Sequence, residues 1–405
     1  MYPNFYYIFQ DWFGVNWPHL KLINSFGFFV AVSFMLGFYI MSIEIKRKYK
    51  LGILGEGKIL KQTVGNPFPM GEYVSSGITG FIIGFKIIPM LSDFSVIEND
   101  PQKYILSTQG SFVWGIVVAA AFLGYNYFLD RKQRLAEPKE ESHKVDPSYH
   151  MGAITMAAFI GGLLGSKLFH ILENLSQFKA DPWDSIMSFS GLTFFGGLIV
   201  GGASVLFVAK RKGIKLLHML DVSAPAMMIA YGCGRIGCHI SGDGDWGIVN
   251  TSPKPSWMST LPDWLWSYNY PNNVNKVCNP FVEGDQQYLA NSFCNFETTP
   301  YLVSPVFPTP LYEIIMCIVL FAILWFLRKR LKFAGILFGI YLIFSGIERF
   351  LIEKIRVNTI VKFGMTQSEI ISIILFFLGI LLIIYSYKRK LPLTLKKEIG
   401  TPIES

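Results

Sequence analysis

Apolar runs of about 20 residues recur along the whole chain, separated by short polar stretches. An α-helix needs about that length to cross a hydrocarbon core about 30 Å thick. Nine runs stand at roughly 25–44, 75–92, 111–129, 150–172, 191–209, 219–240, 309–327, 333–352 and 368–387. The expected fold class is all-α: a polytopic membrane helical bundle of about nine transmembrane helices.

The charges between the runs set an orientation. "KRKYK" at 46–50 follows the first run, "DRKQR" at 130–134 the third and "KRKGIK" at 210–215 the fifth. "RKRLK" at 328–332 follows the seventh and "KRK" at 388–390 the ninth. Basic loops stay on the cytoplasmic side, so the N-terminus is expected outside and the C-terminus in the cytoplasm. One place breaks the rule: Lys354, Arg356 and Lys362 follow the eighth run, on the outer side. Of the 405 residues, 51% are hydrophobic and 16% charged, with a mean hydropathy of +0.39. The net charge of +8 does not point to nucleic acid, because the basic residues cluster at the ends of apolar runs. No cleavable signal peptide is expected, and the aromatic opening "MYPNFYYIFQDWFGVNWPHLK" suits a membrane interface.

The expected organisation has an N-terminal interfacial segment and first helix at 1–50, and an inserted two-helix region at 51–148. Core helices with the richest motif follow at 149–247, then an extracytoplasmic loop at 248–307. C-terminal core helices at 308–390 and a cytoplasmic tail at 391–405 complete it. Cys278 and Cys294 lie in that loop, and a disulfide is the expectation in an oxidising compartment. Cys233 and Cys238 are expected free.

Ionisable residues inside a membrane are costly and mark function. "YGCGRIGCHISGDGDWG", 231–247, puts Arg235 about one turn from the outer end of its helix, with His239, Asp243 and Asp245 close behind. A guanidinium there can hold a phosphate through two parallel hydrogen bonds, and the acids can orient it. "SGIERFLIEKIRVN", 345–358, places Arg349, Glu353 and Arg356 on one helix face. "GSKLFHI", 165–171, brings Lys167 and His170 together at i,i+3. "FPTPLYE", 307–313, opens a helix with prolines and carries Tyr312 and Glu313 into the membrane, where Glu313 needs a basic partner. "SGLTFFGGLIVGG", 190–202, offers Gly196 and Gly197 for close backbone approach.

These stretches, in this order, resemble the prolipoprotein diacylglyceryl transferase family, from about Tyr149 to Tyr387, with a weaker likeness at "NSFGFF", 24–29. The 231–247 stretch is similar to the family signature, whose core is Gly-Arg-x-Gly-Asn with a Gly-acid-Trp-Gly ending. "GLTFFGGLI" is similar to its His-Gly-Gly stretch, "FPTPLYE" to its His-Pro-Ser-Gln-Leu-Tyr-Glu helix start, and "GIERFLIEKIR" to its Arg-x-x-x-Glu-x-x-Arg helix. The family core has about seven spans, so the runs at 75–92 and 111–129 are read as insertions. The departures are Phe195 and Phe307 for two family histidines, Cys238 for Asn, Phe26 for Tyr, Lys167 for Arg and Pro310 for Gln.

The resemblance implies transfer of a diacylglyceryl group from phosphatidylglycerol to the cysteine thiol of a lipoprotein signal peptide, at the extracytoplasmic face of a bacterial cytoplasmic membrane. It implies catalytic roles for Arg235, Arg349 and Glu353, with His239 or His170 as base in place of the missing family histidine. Arg235, Arg349, Arg356, Lys167, Asp243, Tyr312, Glu313, Gly196 and Gly197 are the expected substrate contacts. No cofactor and no metal are expected. Three other readings stay open: a transporter, the weakest because the charges cluster at one membrane face and no inverted repeat is visible; a transferase with another acceptor or lipid; and a catalytically silent lipid-binding relative in an envelope complex. The latter would meet a protein partner through 248–307 or the inserted helices.

Overall fold

The computed structural model describes residues 1–54, 58–92, 104, 107–135, 139–187, 193–278, 298–357, 360–362 and 364–390. Its main elements, in chain order, are α1 (Phe5–Phe13), α2 (Ser25–Lys50), β1 (Lys58–Val64), α3 (Met70–Ser92) and α4 (Phe112–Gln133). β2 (Lys139–Val145), α5 (Met151–Glu173), α6 (Phe194–Arg211) and α7 (Leu216–Ser241) follow. α8 (Thr309–Leu327), α9 (Ile336–Glu353), β3 (Ile360–Lys362), β4 (Met365–Thr366) and α10 (Gln367–Arg389) end the series. Two short helices, Leu175–Ala180 and Pro182–Met187, lie between α5 and α6.

The chain is a polytopic helical membrane protein. Among the described residues, seven helices are long and apolar enough to cross a membrane: α2, α3, α4, α5 (counted from Pro147), α7, α8 and α10. The other two predicted spans form 18-residue helices, α6 and α9, and α9 carries Glu348, Arg349 and Glu353 near its end. Caps fix several starts. Asn24 accepts from the Gly27 amide at 3.2 Å before α2. Thr366 and Glu369 form a capping box on α10. Arg47, Lys48 and Lys50 close α2, and Lys388 and Arg389 close α10, where cations suit the helix dipole.

The molecule divides into two compact units. The first comprises the described residues of Met1–Glu56, His150–Thr155 and Leu206–Ser405. Its central helix is α7, the most deeply buried of the candidate membrane helices among the described residues. α7, α8 and α9 share a core of Ala224, Met228, Cys317, Leu324, Leu337 and Tyr341. Glycines set the closest approaches. A Cβ on Gly379 of α10 would lie 2.6 Å from the Gly339 oxygen of α9. One on Gly232 of α7 would lie 2.7 Å from the Cys317 Cβ of α8.

A buried ionic cluster joins the helix ends where α2 and α8 finish. Glu44, fully buried, meets Arg47 at 2.5 Å and Arg328 at 2.7 Å. Lys48 lies 3.6 Å from Asp221 of α7. The Asp221 carboxylate also accepts from the Gly335 and Phe338 amides at 2.9 and 3.1 Å, so a side chain of α7 caps α9.

At the opposite ends, the segment after α7 folds over the helices. Trp246, Tyr270, Val277, Leu302 and Val306 form its small core with Met1 and Tyr268. Tyr268 and Val306 exchange backbone hydrogen bonds at 3.0 Å. Cys278 is disulfide-bonded, and Cys233, Cys238 and Cys317 are free. Cys294, the expected partner of Cys278, lies outside the described residues.

The second unit comprises the described residues of Gly57–Tyr149 and Met156–Val205. Its α3 and α4 pack through Gly80, whose Cβ would lie 2.9 Å from the Ala119 Cα. Asp130 of α4 accepts from the Phe68 amide at 2.8 Å and the Tyr73 hydroxyl at 3.2 Å, tying the end of one helix to the start of the other. α5 and α6 touch along Gly161, Gly165, Gly196 and Gly201, the close-packed stripe that small residues permit in membranes. β1 and β2 pair antiparallel.

Candidate functional site

The first unit gathers charged side chains where α7 and α9 end and α8 and α10 begin. Glu313, in the second turn of α8, is fully buried. Its Oε1 accepts from the Tyr231 hydroxyl at 2.8 Å and from Arg349 Nη1 at 3.1 Å. Its Oε2 lies 3.0 Å from Arg235 Nε, an ion-pair contact without the alignment of a hydrogen bond. One carboxylate therefore stands between the guanidiniums of Arg235 and Arg349. Arg356 Nη1 approaches it to 4.0 Å.

Local sequence explains each placement. Pro308 and Pro310 pre-set the first turn of α8. Thr309 fixes that turn by donating to the Asp245 carbonyl at 2.7 Å, and Tyr312 donates to the Leu265 carbonyl at 2.8 Å. On α9, the i,i+4 spacing brings Glu353 Oε2 to 3.3 Å from Arg349 Nη2. Glu353 Oε1 accepts from the Thr366 hydroxyl at 2.7 Å, and Arg349 Nη2 reaches the Ser368 hydroxyl at 3.3 Å. The start of α10 thus fixes the charged end of α9.

After α7, Gly242 and Gly244 take positive φ, at 65° and 96°, and turn the chain back over the helix ends. That turn aims Asp245 at two guanidiniums, pairing Oδ2 with Arg235 Nη1 and Oδ1 with Arg356 Nη2. The Asp245 amide donates to Asp243 Oδ1 at 3.2 Å. Burial alone would raise the Asp245 carboxyl, but Arg235 and Arg356 outweigh it and hold the group below the ordinary carboxylate range. Asp243 goes the other way, raised by burial and by the like charge of Asp245. Arg235 also stacks over the Tyr231 ring at 5.0 Å and donates to Cys238 Sγ at 3.8 Å. Cys238, Asp243 and Asp245 turn one potential ligand atom each toward a common region, within 4.8 Å of one another. A cation there would sit beside two guanidiniums that already occupy Asp245.

The first unit therefore brings together Arg235, Glu313, Arg349, Glu353 and Arg356. Glu313 has the basic partners its sequence position called for. His239 faces the folded-over segment, with Nδ1 3.3 Å from the Tyr270 hydroxyl. Lys167, His170, Gly196 and Gly197 belong to the second unit, where His170 Nδ1 lies 3.2 Å from Asn174 Nδ2. Three participants were not singled out from the sequence. Tyr231 and Thr366 supply hydroxyls to Glu313 and Glu353. Glu348 is buried, and its Oε1 has no hydrogen-bond partner among the described residues. Its i,i+7 spacing from Tyr341, on the same buried stripe of α9, was the available signal.

Residues 111–385 match the prolipoprotein diacylglyceryl transferase family. A phosphatidylglycerol–prolipoprotein diacylglyceryl transferase of Streptococcus pneumoniae (strain Hungary19A-6) is 27% identical over 246 residues, covering 60% of this chain and 80% of its own length. The protein of the same name from S. pneumoniae serotype 19F (strain G54) matches to the same extent, and that of strain JJA is 26% identical over 246 residues. The match takes in the cluster around Glu313 and more than half of the sequence, and the chain belongs to the prolipoprotein diacylglyceryl transferase family.

Proposed function

We propose that this chain transfers a diacylglyceryl group from phosphatidylglycerol to the lipobox cysteine thiol of prolipoproteins. The observation that carries the reading is the set of three guanidiniums, Arg235, Arg349 and Arg356, held around Glu313 at one end of the helices. Such a set suits a phosphodiester whose glyceryl carbon is attacked. The thiol sulfur bonds to that carbon, the carbon–oxygen bond to phosphate breaks, and glycerol phosphate leaves with the bonding electrons. Fixed positive charge stabilises the charge that grows on the departing phosphate. A free thiol has a pKa near 8.5, so the nucleophile also needs a proton acceptor, which we assign to His239 or His170.

Glu313 and Glu353 are positioning residues in this reading: they hold Arg235 and Arg349 in place before lipid arrives. The site end is the extracytoplasmic end, because the basic clusters that close α2 and α10 and follow α8 lie at the other ends of those helices. The membrane is then a bacterial cytoplasmic membrane. A silent lipid-binding relative is the second reading, favoured by Phe195 and Cys238 at positions where the family carries His and Asn. Purified protein, phosphatidylglycerol and a lipobox peptide decide between them. Mass spectrometry should find the peptide carrying a thioether-linked diacylglyceryl group. Bound lipid without that product would favour the silent relative.

A further inference from the structure

We propose that Asp245 holds the place of the lipid phosphate, its carboxylate exchanging with the phosphodiester on Arg235 and Arg356 when the substrate binds. This inference rests on the reading of the cluster as a lipid-phosphate site. Three carboxylates pair with the three guanidiniums. The side chains of Glu313 and Glu353 are fully buried, whereas that of Asp245 is 32% exposed. Asp245 is thus the partner that an incoming anion can reach.

Its geometry is that of a bridging anion. One oxygen meets Arg235 Nη1 and the other Arg356 Nη2, an arrangement that the two non-bridging oxygens of a phosphodiester can reproduce. A monoanion replaces a monoanion, so the buried charge around Glu313 does not change. A further donor is available: Arg356 Nη1 is buried without a hydrogen-bond partner among the described residues, in a side chain only 10% exposed. The backbone at 245 is anchored by the Thr309 hydroxyl at 2.7 Å, and the next residue, Trp246, is buried. Exchange therefore needs rotation of one short side chain rather than movement of the segment. In the resting protein the carboxylate keeps both guanidiniums paired, and only the fraction of molecules in which it has swung away can take the phosphate.

The test is binding to the detergent-solubilised full chain, with short-chain phosphatidylglycerol in one arm and free glycerol phosphate in the other. Asp245→Asn keeps the shape of the side chain and removes the competing charge. It should lower the Kd for the lipid by about tenfold, as expected when a competing state that holds about nine-tenths of the population is removed. In the wild type, an infrared difference spectrum should show a carboxylate stretch shifting when lipid is added, assigned by its absence in Asp245→Asn. Unchanged or weaker lipid binding in a folded Asp245→Asn, or no carboxylate shift in the wild type, would overturn the exchange. Tightening confined to glycerol phosphate would overturn the lipid as the occupant. Binding by neither wild type nor variant would remove the lipid-site reading itself, a distinct outcome from binding that ignores Asp245.

Discussion

A glutamate that enters a membrane in the second turn of a helix must find positive charge, because an unpaired buried carboxylate costs several kcal/mol. Glu313 meets Arg235 on α7 and Arg349 on α9, so one side chain ties three helices at the site. Glu313→Gln leaves two buried guanidiniums short of an anion. It should destabilise the protein by about 3 kcal/mol, read as a fall of several degrees in Tm in detergent. A Tm unchanged within a degree would contradict this role. The two aspartates of the 242–245 turn should respond oppositely to pH. Pairing of Asp245 contributes stability above the ordinary carboxylate pKa, and that contribution is lost as pH falls through its depressed value. Asp243 is raised, so its ionised form destabilises the fold at neutral pH. Asp243→Asn should therefore raise Tm at pH 7, and the gain should fade as pH falls toward the ordinary value of 3.8. A gain that grows on acidification would reverse that assignment. At this scale Arg235, Glu313, Arg349 and Glu353 were legible from charge inside apolar runs and from i,i+4 spacing. The choice of Asp245 over Asp243 as the bridging acid was not, since it depends on two positive-φ glycines. The Tyr231–Glu313 bond joins residues 82 apart, and no local pattern encodes it.

The helices themselves were the most legible feature, because an apolar run of membrane length has few alternatives. Their ends were less so. The run at 25–44 continues as helix to Lys50, since KRKYK can extend a helix as well as terminate a span. The π-helical turn Ile83–Ile87 inside α3 was not foreseen. There Lys86 donates to the carbonyls of Tyr104, Ser107 and Gln109, a tertiary demand with no periodic trace in the sequence. Packing between α9 and α10 depends on absent side chains at Gly339, Gly346 and Gly379. Gly379→Val should force these helices apart and cost about 1–3 kcal/mol, measured as a lower Tm. Gly27→Ala on α2, where nothing lies within 4 Å of the new methyl, is the matched control and should be neutral or mildly stabilising. Equal effects of the two substitutions would contradict the packing argument.

For the whole molecule, alternation of basic clusters predicts an outside N-terminus and a cytoplasmic C-terminus. Reporter fusions at residues 210 and 270 should label the cytoplasmic and extracytoplasmic sides respectively, and the same label at both would contradict the nine-span topology. The division into two units was not legible, because the described residues of 150–155 and 206–405 join those of the first 56 across a long intervening stretch. Contacts at such separation leave no periodic mark. In the proposed transfer, fixed positive charge at Arg235, more than any general base, drives departure of glycerol phosphate. Loss of such a group costs about 3–4 kcal/mol, the same order as the roughly 10²–10⁴-fold of a general base; what separates them is that a thiol is partly ionised without a base, whereas loss of Arg235 also removes a partner of Asp245 and of Glu313. The direct measurement is the transfer rate from phosphatidylglycerol to a lipobox peptide for Arg235→Ala, His239→Ala and His170→Ala. Arg235→Ala should show no detectable transfer, and either histidine variant reduced but measurable transfer; unchanged turnover in Arg235→Ala would contradict the role proposed for its charge.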